Sequence, residues 1–193
     1  MTTLKDLIRA IPPLDHAAMQ AAEQHINGLA KPPRSLGRLE DLAVHLAGMP
    51  GIDHPDNLPK EIIVMCADHG VFAEGVAVTP QEVTAIQARN IQKQLTGVCA
   101  VARSNGTSVL PVDIGIDCDP IDDMISLKLA RGCGNIAKGP AMSYADAEHL
   151  LVASAELVKQ RVAAGIRVVG TGELGIANTT PASAMISVLC GLD

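Results

Sequence analysis

The sequence predicts an α/β fold: a parallel sheet flanked by helices, with a small helical segment ahead of it. Three observations carry that reading. Short, continuous apolar runs rich in β-branched residues occur at "IIVMCA" (62–67), "SVLPVDIGI" (108–116) and "IRVVG" (166–170), the texture of strands buried on both faces. Helical stretches alternate with these runs, as parallel βαβ units require. The texture also breaks near residue 59, and before the break the pattern is helical.

Leu4, Leu7, Ile8 and Ile11 fall at i, i+3, i+4 and i+7, with Thr3 and Asp6 at capping-box spacing. Pro12-Pro13 ends that helix, and Asp15 caps a second one running to about Leu29. A third follows "KPPRSLGRLE", with Leu36, Leu39, Ala43 and Leu46 on one side. "GMPGIDHPDNLP" (48–59) reads as a linker, which divides the chain into a helical segment, 1–58, and an α/β portion, 59–193. In that portion helices are expected over about 80–104 and 144–164, the second with a stripe of Ala147, Leu151, Ala155, Val158 and Val162.

Composition narrows the function. The 193 residues include one Phe, one Tyr and no Trp, and carry a formal charge of −6. Recognition cannot lean on aromatic stacking, and the negative charge is unlike that of a phosphate-backbone binder, which argues against a nucleic-acid partner while leaving room for a small anion. The five cysteines are scattered and form no CxxC pair, so reduced thiols are expected rather than disulfides or a zinc ribbon. With no basic-then-apolar leader and no long apolar run, a soluble intracellular protein without a membrane partner is expected.

Each apolar run ends in acid plus glycine. The first meets Asp68-His69-Gly70, the second Asp113-x-Gly115-x-Asp117, the third Gly172-Glu173-x-Gly175. Ligands of open parallel sheets bind beyond the carboxyl ends of the strands, so three such ends would gather carboxylates at one edge. Gly and Asp also favour ordinary turns; the threefold recurrence favours function. Thr79-Pro80 and Thr180-Pro181 read as helix starts with a Thr N-cap, and Glu82 completes a capping box with Thr79. Such starts suit an anion. Gln87 lies on or beside the stripe of Ile86 and Ile91, where an amide is either a surface group or a ligand contact. "ARGCGNIAKGP" (130–140) offers Arg131, Asn135 and Lys138 in a glycine-rich loop without Walker or dinucleotide spacing. No HxxxH or HExxH pattern occurs, and Asp68, His69, Asp113 and Asp117 would hold a metal only if the fold united them.

"KPPRSLGRLEDLAVHLAGMPG", "VMCADHGVFAEGVAVTPQEVTAIQARN", "LARGCGNIAKGPAMS" and "GTGELGIANTTPASAM" together resemble the nicotinate-nucleotide–dimethylbenzimidazole phosphoribosyltransferase family, in order and over essentially the whole chain. The resemblance implies a Rossmann-like domain with a small helical domain, working as a cytoplasmic homodimer without metal or cofactor. It implies transfer of phosphoribose from nicotinate mononucleotide to 5,6-dimethylbenzimidazole, with inversion at the sugar, giving nicotinate and α-ribazole 5′-phosphate for cobalamin. Thr79 and Gln87 match positions lining the benzimidazole pocket. Glu173, Leu174, Gly175, Asn178, Thr179 and Thr180 match the loop that meets the nucleotide. Asp68, His69, Asp113, Arg131 and Asn135 are further candidates from the strand-end and loop patterns.

Two departures stand out. Arg34 occupies a position where the family has glycine. The family also continues for nearly as many residues again, and its phosphate-gripping loop and general-base glutamate lie there. The sheet is therefore expected to be incomplete at its C-terminal end and the chain to lack the base. Three readings follow: the N-terminal portion of the transferase, one half of a split enzyme, or a non-catalytic module that binds nucleotide or benzimidazole.

Overall fold

Four parallel strands form the sheet, in the order β3-β2-β1-β4: β1 (Lys60–Ala67), β2 (Thr107–Gly115), β3 (Ile125–Ser126) and β4 (Val168–Leu174). The computed structural model describes residues 3–51 and 58–192; residues 52–57 of the linker expected at 48–59 lie outside them. The chain divides into two units, Met1–Leu58 and Pro59–Asp193.

The first unit holds α1 (Leu4–Arg9), α2 (His16–Gly28) and α3 (Arg38–Ala47). Thr3 and Asp6 make the reciprocal capping box of α1, and the Asp15 carboxylate caps α2 at the Ala17 and Ala18 amides. Lys31 Nζ reaches the buried Glu40 carboxylate at 2.8 Å. That hydrogen bond, with a second from the Leu36 amide, holds the Glu40 carboxyl below its ordinary pKa. The apolar row expected on one helix face differs in two ways. Leu36 precedes α3, and Leu36, Leu39 and Leu46 are exposed.

In the second unit β1 is central, paired with β2 on one side and β4 on the other. Helices α4 (Val83–Gln92) and α5 (Gly97–Ser104) cover one face, where Val64, Cys66 and Val109 pack with Ala88, Ile91, Cys99 and Ala102. On the opposite face Leu157 of α6 (Tyr144–Ala163) meets Ile63 and Val112. Leu151 and Val162 of the expected α6 stripe are exposed, and Leu157 is its buried residue. Arg161 in the last turn of α6 forks onto Glu61, with Nε–Oε1 at 2.6 Å and Nη2–Oε2 at 2.9 Å.

Two expected boundaries move. The stretch 80–104 is two helices, because Gln94 takes a left-handed backbone with φ 61°. Its amide donates to Ile91 O and the Leu95 amide to Asn90 O, the paired bonds of a Schellman cap. Glycine is the usual residue there, so glutamine gave no signal. The third strand, expected to stop at Gly170, continues through Leu174. A Cβ on Gly170 or Gly172 would lie 3.2 Å from Ile62 Cγ1 or Val64 Cγ2. These glycines belong to a strand, and neighbouring side chains fill their space.

Neither Thr-Pro pair caps a helix. Thr79 is exposed and precedes a turn in which Val83 N donates to Pro80 O; α4 starts only at Val83, after Glu82. In α7 (Thr179–Cys190) Asn178 is the N-cap residue, and Thr180-Pro181 lies inside the first turn. Pro181 is tolerated because amides of the first turn have no helical partner.

Candidate functional site

The pairing of β1 with β4 sets Glu173 beside Met65 and Leu174 beside Cys66, at the carboxyl ends of the central strand and its edge neighbour. That is where open parallel sheets take ligands. Gly170, Gly172 and Leu174 fall on the face shared with Ile62 and Val64. Beside them a cleft of about 400 Å³ lies between β4, α4 and the start of α5, lined by Ile62, Ile91, Val98, Gln87, Glu173 and Leu174. Its walls are mostly aliphatic, and the polar residues along it are few: Gln87, Thr96, Thr171 and Glu173. A flat, largely apolar ring with one or two hydrogen-bonding atoms fits such a lining.

Gln87 is half-buried on α4, and its Oε1 is 3.5 Å from Asn90 Nδ2. Glu173 is exposed at the rim, where Asn178 Nδ2 donates to Oε2. A carboxylate in that position can face positive charge on a bound ligand. Gly175 is buried against β1: a Cβ there would collide with Ala67 O and lie 2.8 Å from His69 Nε2. Only glycine permits that approach. Ala177 is left-handed, with φ 71°. Thr179 is exposed and Thr180 half-buried in the first turn of α7. Thr79 is not among the residues lining the cleft.

The expected gathering of three acids does not occur, because two of them turn inward. Asp113 Oδ1 accepts from the amides of Gly115 and Ile116 at 3.0 and 2.9 Å, and Lys128 Nζ lies 2.8 Å from Oδ2. Lys128 also donates to Ile116 O and Cys118 O, so Asp113 braces the turn after β2. Asp68 is buried and accepts from the Asp117 amide at 2.8 Å. Its Oδ1 has no hydrogen-bond partner among the described residues. Burial lowers the His69 pKa below its ordinary value, although Asp68 and Glu173 pull it upward. Among the described residues no three His, Cys, Asp or Glu side chains are grouped to hold a metal ion.

Arg131 is exposed and pairs with Asp119. Asn135 Nδ2 donates to Glu74 at 2.6 Å while its Oδ1 accepts from the Ala137 amide, so both hold the 130–140 loop together. A further cavity, about 570 Å³, is bordered by Lys60, Glu61, Asn105, Thr107 and Val168. It sits at the amino ends of the strands and has no acid–glycine turn.

One contact escaped the sequence. The Ile176 amide donates to Oγ1 of Thr84, which is fully buried, at 3.0 Å. Thr84 shares the α4 face of Ala88 and Ile91, and that i, i+4, i+7 spacing was its available signal.

A family model described as Phosphoribosyltransferase matches residues 11–193. Proteins of Salmonella agona strain SL483 and Salmonella paratyphi C strain RKS4594, each named nicotinate-nucleotide–dimethylbenzimidazole phosphoribosyltransferase, are 54% identical over 194 residues. The match covers 100% of this chain and 54% of each relative. A crystal structure of the like-named protein from Thermus thermophilus superposes with a TM-score of 0.87 at 35% identity, over 93% of this chain and 55% of that one. The chain thus spans about half the length of the relatives it matches.

Proposed function

Because the chain belongs to this phosphoribosyltransferase family, we propose that it contributes to transfer of phosphoribose from nicotinate mononucleotide to 5,6-dimethylbenzimidazole, releasing nicotinate and α-ribazole 5′-phosphate for the lower ligand of cobalamin. The observation that carries the proposal is the meeting of Gln87, Glu173 and Leu174 at one aliphatic cleft.

The benzimidazole ring lies against Leu174, Ile62 and Val98, and the Gln87 amide hydrogen-bonds a ring nitrogen. Glu173 faces the ribosyl-pyridinium, whose positive charge its carboxylate stabilises. Nicotinate leaves as an activated group, so its departure through an oxocarbenium-like state needs no strong acid. Asn178 holds the Glu173 carboxylate in place, with Thr179 and Thr180 beside the nucleotide. Thr79 extends the base pocket in the assembled enzyme.

The incoming base must lose a ring proton as its other nitrogen bonds to the sugar. A positioned carboxylate typically contributes about 10²–10⁴ to such a step. That base is assigned to the part of the relatives this chain does not cover, and Glu173 remains a charge stabiliser. Homodimerisation and a cytoplasmic location belong to the same proposal. The exposed Leu36, Leu39, Leu42 and Leu46 support the first, which sedimentation tests. No helix among the described residues is long and apolar enough to cross a membrane.

The test is complementation. The chain is incubated with both substrates, with and without a polypeptide covering the remaining length of the Salmonella relatives, and α-ribazole 5′-phosphate is measured. Product only from the combination supports the proposal. Product from the chain alone overturns the placement of the base, and no binding of either substrate overturns the whole reading.

A further inference from the structure

Cys133 and His69 form a thiol–imidazole pair to which the proposed transfer assigns no role. Just beyond β1, the Cys133 amide donates to Asp68 O and the Gly70 amide donates to Cys133 O, both at 3.1 Å. This single parallel bridge sets His69 and Cys133 side by side, with Sγ 3.8 Å from Nδ1. Gly70 permits the approach, since a Cβ there would lie 2.7 Å from Cys133 O.

The pair opens on a cavity of about 280 Å³ walled by Leu129, Ala130, Met142 and Leu150, with Asp146 its one acid. That volume is just below ordinary small-molecule pockets, roughly 300–1,000 Å³, and its lining favours uncharged guests. Burial lowers the pKa of the imidazole, against the pull of Asp68 and Glu173. In the Nε2–H tautomer, Nδ1 is the acceptor that faces Sγ.

We infer that Cys133 is a modification site for small, uncharged, soft electrophiles of the α,β-unsaturated carbonyl class, with His69 as the proton acceptor. In the step, Cys133 Sγ bonds the β-carbon and the alkene π pair moves to the carbonyl as an enolate. The thiol proton passes to His69 Nδ1 and then to the α-carbon, which restores the neutral imidazole. No other reactant is consumed. The remaining thiols lack this arrangement. Cys66 is buried, and burial pushes its pKa up to about 12; Cys99 is buried, Cys118 half-buried, and Cys190 exposed.

The experiment treats the chain with N-ethylmaleimide and reads each cysteine by peptide mass spectrometry against time. Cys133 is expected to label faster than Cys118, and no slower in folded protein than in urea. His69→Gln is expected to slow Cys133 by roughly 10²-fold, the low end for positioned proton transfer, and to leave Cys190 unchanged. Labelling of Cys133 slower than Cys118, or slower folded than unfolded, would overturn the inference in wild-type protein, whatever the stability of the variant. An unchanged Cys133 rate in folded His69→Gln would overturn it as well.

Discussion

Thr84 Oγ1 accepts the Ile176 amide at 3.0 Å, which ties α4, the carrier of Gln87, to the turn that follows Glu173. Gln87 and Glu173 therefore share one brace. Thr84→Val keeps the shape and leaves a partly buried amide unpaired, a cost of about 1–3 kcal/mol. Urea unfolding is expected to show that loss at unchanged m-value, together with weaker binding at the cleft.

Gly175→Ala is expected to be far more damaging. Its new methyl would collide with Ala67 O, and a backbone carbonyl cannot swing aside. The end of β4 must shift, at a cost of about 3 kcal/mol or more. Gly139→Ala, where a Cβ meets nothing within 4 Å, is the control, expected within about 0.5 kcal/mol of wild type. Thermal unfolding of the pair separates close approach from a general intolerance of alanine.

Arg161→Met would strand the Glu61 carboxylate, which is 3% exposed. Breaking a buried pair costs about 3–5 kcal/mol. Here Ser108 Oγ still donates to Oε2 at 3.1 Å and the arginine is partly solvated, so about 2–3 kcal/mol is expected. Chemical denaturation measures it, and a change below about 1 kcal/mol would show that water reaches Glu61.

Arg34 has φ 54°, a left-handed backbone that costs a non-glycine residue roughly 1–2 kcal/mol. Its exposed pair with Asp41, at 3.1 Å, returns about 0–1 kcal/mol. Arg34→Gly is therefore expected to raise the stability of the first unit by up to about 1 kcal/mol, read by hydrogen exchange in α2 and α3.

His69 sets a pH dependence. Its folded pKa lies below the ordinary 6.5, so the unfolded chain binds the proton more readily. Its contribution is complete above about pH 6.5 and falls as pH drops through the window just below that value. His69→Gln should flatten the stability curve there, measured by urea midpoints between about pH 5 and 7.

The strand–helix alternation was legible because β1, β2 and the first half of β4 are continuous apolar runs between polar turns. The second half of β4 was not, since Gly170 and Gly172 look like turn residues until Ile62 and Val64 are seen filling their places. The break in 80–104 was hidden for a similar reason, a Schellman cap built on Gln94 rather than glycine. Within the site, acid plus glycine marked the carboxyl ends of the strands but not which acids turn inward. That depended on Lys128 and on the amides of Gly115, Ile116 and Asp117, partners that spacing cannot display. Gln87 was ambiguous on its own helix, and only the neighbouring strand showed that it borders a cleft.

The most direct test of the central claim is a titration of 5,6-dimethylbenzimidazole followed by its own fluorescence, which one Tyr and no Trp leave nearly unobscured. Wild-type chain is expected to bind saturably. Gln87→Ala should bind about tenfold more weakly, as loss of one hydrogen bond worth about 1.4 kcal/mol requires. Wild-type protein that fails to bind, or a variant that binds equally well, would contradict the assignment of the cleft between α4 and β4 to the base.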